Sequence, residues 1–208
     1  MTYSIIVFNP DHGVLGIGVV SGSIAVGSRV PWARLGVGGV VTQAYTNPAL
    51  APIILNLIEK GYSCREAIYK ALENDPEPTL RQIAVMKWGG SDKAYYNGEG
   101  IPEEYSGYMD EYCVAVANLV VSKEIPRIMC RTYNGLREAG LVEAILEALR
   151  EAHLLGGDKR GDTSATLLVI GETPYGRKYD RIIDLRVDYS KEPVKQLTEI
   201  YRRMRVRI

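Results

Sequence analysis

Between Asp11 and Glu59 the chain carries no acidic residue, and its only full charges there are Arg29 and Arg34. A surface stretch of that length would be expected to hold acids and lysines. This one holds short alternating runs of Gly, small hydroxyl residues and Val, most clearly over residues 21–48 (SGSIAVGSRVPWARLGVGGVVTQAYTNP). Such composition suits β-strands whose backbones approach one another or a ligand closely. The stretch is therefore expected to form the floor and wall of a site, with the start of the chain beside it.

The flanking segments set the order of elements. Residues 2–8 are β-branched and aromatic, turn chemistry follows from Asn9 to Gly13, and residues 14–20 complete a hairpin. Residues 23–30 read as extended, Pro31 and Trp32 as an interruption, and residues 37–43 as a strand. The period then changes. Leu50, Ile53, Ile54, Leu57 and Ile58 share one helical face, with Asn47 as the expected N-cap and Gly61 just past the C-cap. Ser63 and Glu66 carry a capping-box signature for a second helix through Leu72. A hairpin around Gly89-Gly90-Ser91, a loop over 98–107 and a buried strand over 112–121 come next. Helices over 125–138 and 141–155 break at Gly140. Strands over 163–170 and 181–187 should pair, and Pro193 opens a last helix with Val194, Leu197, Ile200, Tyr201 and Met204 inward. Segregated runs of strands and helices indicate an α+β class with mostly antiparallel sheets. Two helical layers outside stacked sheets would bury all of these faces.

Composition narrows the class further. At 208 residues one domain is expected, and 46% apolar content suffices for a core. Lys+Arg and Asp+Glu are both 25, so no basic excess marks a nucleic-acid partner. No run approaches the ~18 apolar residues of a membrane span. The N-terminus lacks a basic region followed by an apolar core, so a cytoplasmic protein is expected. Cys64, Cys113 and Cys130 are far apart and share no metal-ligand spacing, so they are expected to be buried free thiols, with no metal and no cofactor.

Few residues carry candidate chemistry. Removal of Met1 would leave Thr2 with a free α-amine, and such a residue holds nucleophile and base together. The competing reading is a β-branched residue that simply starts a strand. Gly16-Ile17-Gly18 resembles a dinucleotide fingerprint in part but lacks its third glycine and the acid ~20 residues on. Asp158 to Asp162 lacks the ligand spacing of a calcium loop. His12 and His153 stand isolated, in a turn and at a helix end. Arg202, Arg203, Arg205 and Arg207 suit a solvated helix end. The turn Gln43-Ala44-Tyr45-Thr46-Asn47-Pro48 joins a strand to a helix N-terminus, where free N–H groups suit an oxyanion, or where Asn47 merely caps.

Several pieces taken together carry a family resemblance. They are Met1-Thr2-Tyr3-Ser4-Ile5, Ala25 to Ser28 with Val30 to Ala33, Thr42-Gln43-Ala44 with Asn47-Pro48, and Gly156-Gly157-Asp158 with Arg160-Gly161 and Ser164-Ala165. On these the sequence resembles the prokaryotic family called domain of unknown function ten-twenty-eight, which looks like a branch of the N-terminal-nucleophile hydrolases. The resemblance implies a four-layer α-β-β-α sandwich and hydrolysis of a small-molecule amide. It places Thr2 as nucleophile and the Ala44 to Asn47 turn as oxyanion hole. By the resemblance Asp162 and Ser164 would hold the terminal amine. Ser21, Ser23, Arg29, Arg34, Tyr45 and Asp158 are expected to line the substrate cleft, since small polar residues clustered in apolar strands need partners. The pattern departs from proteasome-type enzymes at the Ser21-Gly22-Ser23 region, which replaces an Asp, and in having no Lys before Lys60. Arg29 or Arg34 would then supply positive charge. The same fold used as a non-catalytic binding or scaffold protein is the alternative, and self-association is left open.

Overall fold

The computed structural model describes residues 2–102 and 104–204. Its elements run β1 (Thr2–Asn9), β2 (Val14–Ser21), β3 (Pro31–Arg34), β4 (Gly38–Ala44), α1 (Leu50–Glu59), α2 (Cys64–Leu72), β5 (Arg81–Lys87) and β6 (Lys93–Asn97). Then come β7 (Tyr105–Met109), β8 (Cys113–Asn118), α3 (Ile125–Leu136), α4 (Leu141–Leu154), β9 (Ser164–Ile170), β10 (Arg181–Val187) and α5 (Pro193–Met204). The strands form two antiparallel sheets, ordered β10-β9-β2-β1-β8-β7 and β3-β4-β5-β6.

Side-chain alternation along the strands explains how the sheets pack. Tyr3, Ile5 and Val7 turn to one face of the six-stranded sheet and share an apolar cluster with Met129, Ile145, Leu149 and Leu197 of α3, α4 and α5. Ile6 and Phe8 turn the other way and meet Val41, Ala84 and Met86 of the four-stranded sheet. The far face of that second sheet packs Val40, Ile83 and Val85 against Leu50, Ile54 and Ile68 of α1 and α2. Gly16 and Gly18 also find their reason here. A Cβ at either would lie 2.5 or 2.6 Å from an Ile145 methyl, so the glycines let α4 approach β2. They serve packing, not a nucleotide.

The α2 capping box forms as its sequence indicates, with Ser63 accepting from the Glu66 N–H and Glu66 reaching back to the Ser63 N–H. Gly61 adopts φ 97 just beyond α1. Other expectations are corrected. Residues 23–30 are not extended; they hold a short 3-10 turn, Val26–Ser28, entered through Ala25 at φ 55. Hydroxyls explain this, because Ser21 Oγ accepts from the Ser23 N–H and Ser164 Oγ accepts from the Val26 N–H. Pro31 and Trp32 begin β3 rather than break a strand, since an edge strand tolerates the missing proline N–H. Asn47 is not the α1 N-cap, which is Ala49. β7 occupies the end of the expected 98–107 loop. Met204 is exposed instead of inward, and Arg205 and Arg207 lie outside the described residues.

Cys113 of β8 and Cys130 of α3 are joined as a disulfide, their Cα atoms 5.8 Å apart, which corrects the free-thiol expectation. α3 packs along β8, so residues 17 apart in sequence become neighbours. Cys64 stays free and buried, and burial with the nearby Asp92 carboxylate pushes its thiol up to about 12. No helix among the described residues is long and apolar enough to cross a membrane.

Candidate functional site

Strand register assembles a polar row at one end of the six-stranded sheet. Thr2 pairs with Ser21 on one side and Asn118 on the other, and Ser21 pairs in turn with Ser164. The four residues occupy adjacent strands, and all are buried. Thr2 Oγ1 lies 3.1 Å from Ser21 Oγ. Ser164 Oγ donates to the Ser23 carbonyl at 2.6 Å, which anchors the loop after β2. Apolar strands place such residues only where partners exist.

Those partners come from the second sheet. Gln43 of β4 donates to the Thr2 carbonyl at 3.0 Å and to Gln82 Oε1 at 2.7 Å, while Ser4 Oγ donates to Gln43 Oε1. Asn118 Nδ2 donates to the same Gln82 oxygen at 2.8 Å. Beside this ladder opens a cavity of about 170 Å³, lined by Asn118, Leu119, Ser23, Ala44, Tyr45 and Arg160, with Ile101 and Pro102 as apolar wall. Among the described residues the non-glycine positions at positive φ are Ala25, Ala44 and Leu119, and two of the three line this cavity. Backbone held in that region is a mark of functional sites.

The loop after α4 closes the same end. Asp158, fully buried in its side chain, accepts from the Gly22 N–H at 2.7 Å and from the Arg160 N–H at 2.9 Å. It also holds the Arg160 guanidinium through Nε and Nη2, both at 3.1 Å. Asp162 accepts from the Tyr3 hydroxyl at 2.6 Å, the Asp158 N–H at 3.1 Å and His153 Nδ1 at 2.7 Å. Burial first, and then the Asp162 carboxylate, hold the Tyr3 phenol well above its ordinary value. Tyr3 points to the helix side of the sheet and Thr2 to the sheet–sheet side, so Asp162 sits across the sheet from the Thr2 hydroxyl. His153, expected to stand alone, is paired.

The other anticipated residues lie elsewhere. Arg34 binds Glu59 at 2.8 Å and Asn56 at 3.0 Å on α1, and its strand partner is Gly38, at the end of β4 remote from Gln43. Arg29 donates to the Ile24 carbonyl on an exposed loop. Neither arginine bonds to the Thr2 row. The Asn47 amide is taken up by Asp75 at 2.7 Å, and its oxygen accepts from the Ala49 N–H. The Tyr45 N–H is spent on the Leu80 carbonyl at 3.3 Å. Removal of Met1 falls outside the described residues.

Sequence reasoning gave no site role to Tyr3, Gln82, Asn118 or Arg160, and set His153 aside as isolated. An amide near a strand end carries no sign of which partner the other sheet brings to it, and a loop arginine none of which acid it will meet. A larger hollow, about 1350 Å³, opens at the opposite end of the sheets beside Asn9, His12, Leu35 and Trp88, far from this chemistry. Among the described residues, Asp110, Cys113 and Cys130 group their ligand atoms within 4.8 Å of one another. The sulfurs are bonded to each other and Asp110 is occupied by the N–H groups of Tyr112 and Cys113 and by Asn134, so the set does not suit a metal.

A family model described as a family of unknown function (DUF1028) matches residues 2–197. The chain is similar in fold to the crystal structure of protein SPO2555 from Silicibacter pomeroyi, itself assigned to that model. The TM-score is 0.87 at 21% identity, over 99% of this chain and 89% of that one. Among curated proteins there is no match.

Proposed function

The chain belongs to the DUF1028 family, and from the geometry of its Thr2 row we propose that it is an N-terminal-nucleophile amidohydrolase acting on a small amide. The observation that carries this reading is the Thr2 hydroxyl itself. It lies at the start of a central strand, 3.1 Å from Ser21 Oγ, and its register partner Asn118 lines a small cavity. Three separate apolar clusters, helices on sheet, sheet on sheet and sheet on helices, support the four-layer α-β-β-α arrangement that such enzymes use.

In this reading Met1 is removed and Thr2 is the catalytic residue. Its Oγ1 bonds to the substrate carbonyl carbon while the hydroxyl proton passes to the α-amine. The C–N bond then breaks, the amine nitrogen leaves with that proton, and an ester on Thr2 remains. Water cleaves the ester and restores the hydroxyl. Ser21 and Ser164 hold the strand ends and the Ser23 loop. Asp158 and Asp162 act as positioning residues, because their oxygens are engaged with Gly22, Arg160, Tyr3 and His153. The oxyanion would fall to the N–H groups of Thr46 and Asn47, since that of Tyr45 is engaged.

One observation favours the second reading, a binding protein without catalysis. Thr2 is only 4% exposed, and Arg29 and Arg34 are engaged away from it, with the Ile24 carbonyl and with Glu59. A panel of small amides offered to the wild-type protein and to Thr2→Ala separates the two. Turnover by the first and none by the second supports the hydrolase. Equal turnover by both would end the role of Thr2, and no turnover of any amide leaves the binding protein.

A further inference from the structure

Resting on the cavity being the substrate site, we propose that it selects small amides that carry a carboxylate. The ligand's N–H donates to Asn118 Oδ1, and its carboxylate meets the Arg160 guanidinium.

The orientation of Asn118 is set by its neighbours. Gln82 Oε1 already accepts from Gln43 and from Asn118 Nδ2, and Gln82 Nε2 is spent on Asn97 Oδ1 at 2.7 Å and the carbonyls of Ala117 and Ser106. Turning the Asn118 amide over would set oxygen against oxygen. Asn118 Oδ1 therefore remains an acceptor, fully buried and with no donor among the described residues. Buried acceptors are rarely left so, and a ligand N–H would satisfy this one. A ligand offering only oxygen acceptors at that point would be repelled.

Arg160 supplies the opposite preference. Its guanidinium plane is fixed by the two contacts to Asp158, with Nη2 also 3.3 Å from Ser23 Oγ. Asp158 is wholly buried beneath it, whereas the Arg160 side chain is 42% exposed. The pair therefore presents the guanidinium outward. Nη1 has no acceptor among the described residues, and a planar fork held in place is suited to a carboxylate. The cavity that Asn118 and Arg160 both line, about 170 Å³, admits only a small molecule. The strained backbone at Ala44, φ 67, and Leu119, φ 49, frames it.

Binding to the Thr2→Ala protein, measured by calorimetry, tests this without turnover. The probes are N-acetylglycine, acetoxyacetate, in which ester oxygen replaces the N–H, and N-acetylglycinamide, in which the carboxylate is neutral. N-acetylglycine should bind at least about tenfold tighter than either comparator. Asn118→Leu should remove the preference over acetoxyacetate, and Arg160→Gln the preference over N-acetylglycinamide. Equal affinity for all three probes, or binding of none, would overturn the proposal, and that comparison needs neither variant to fold. Selective binding with no turnover by the wild-type protein keeps this inference and ends the hydrolase reading. Turnover of amides with no preference for a carboxylate does the reverse.

Discussion

Tyr3 shows how much one side chain can organise at the closed end of this fold. Its hydroxyl is one of three donors to a buried carboxylate, Asp162, which in turn fixes the loop after α4. Removing that hydroxyl leaves the acid under-satisfied. Tyr3→Phe should cost about 1–3 kcal/mol in chemical denaturation, with the ring still packed. A change within a few tenths would show that His153 and the Asp158 N–H suffice. Asp75 makes a second residue-scale case. Burial pushes its carboxyl up, but hydrogen bonds from Arg81, Asn47 and the Glu77 N–H outweigh that and hold it below the ordinary carboxylate range. A carboxyl depressed in the folded state stabilises above its unfolded value, near ~3.9, and that contribution is lost as pH falls through the lower folded value. Urea unfolding followed down through the acid range should show this loss, and Asp75→Asn should flatten that part of the profile. An unchanged profile in the variant would assign the acid sensitivity to other groups.

At the scale of elements, β2 and α4 are matched by absence of side chains. Gly18→Ala would drive a Cβ to 2.6 Å from Ile145 Cγ2 and should destabilise by about 1–3 kcal/mol in thermal unfolding. The cost should shrink in an Ile145→Ala background, and equal costs in both would mean α4 does not set it. Most elements were legible because their apolar period is strong. β1, β2, α1, α2 and α4 begin and end within a few residues of where alternation, the Ser63-Glu66 box and Gly61 place them. The 23–30 segment was not legible. Its Val and Ile suggest a strand, but hydroxyls of Ser21 and Ser164, from two different strands, capture its backbone. Asn47 is not the cap because its side-chain oxygen accepts from the Ala49 N–H, ahead of the helix, while Asp75, 28 residues on, holds its amide. The site divides the same way. Thr2, Ser21, Ser164 and Asn118 fall together through strand register, whereas Gln82 depends on how one sheet is laid on the other and Arg160 on the loop after α4.

For the whole molecule, the consequence is a protein with two unlike ends. One end holds the wider hollow by Asn9 and Trp88; the other gathers the Thr2 row, the amide ladder and the Asp158–Arg160 pair around a small cavity. In the proposed mechanism Thr2, freed of Met1, forms an ester with its substrate. Thr2→Ala should abolish turnover while costing only about 1 kcal/mol of stability, the usual worth of one hydrogen bond such as that to Ser21. The most direct measurement is mass spectrometry of active protein quenched during turnover of an amide, followed by peptide mapping. The expected result is a chain that begins at Thr2 and carries the acyl group on its N-terminal peptide. Undiminished turnover by a chain that retains Met1, or an acyl group mapped to any other peptide, would contradict it.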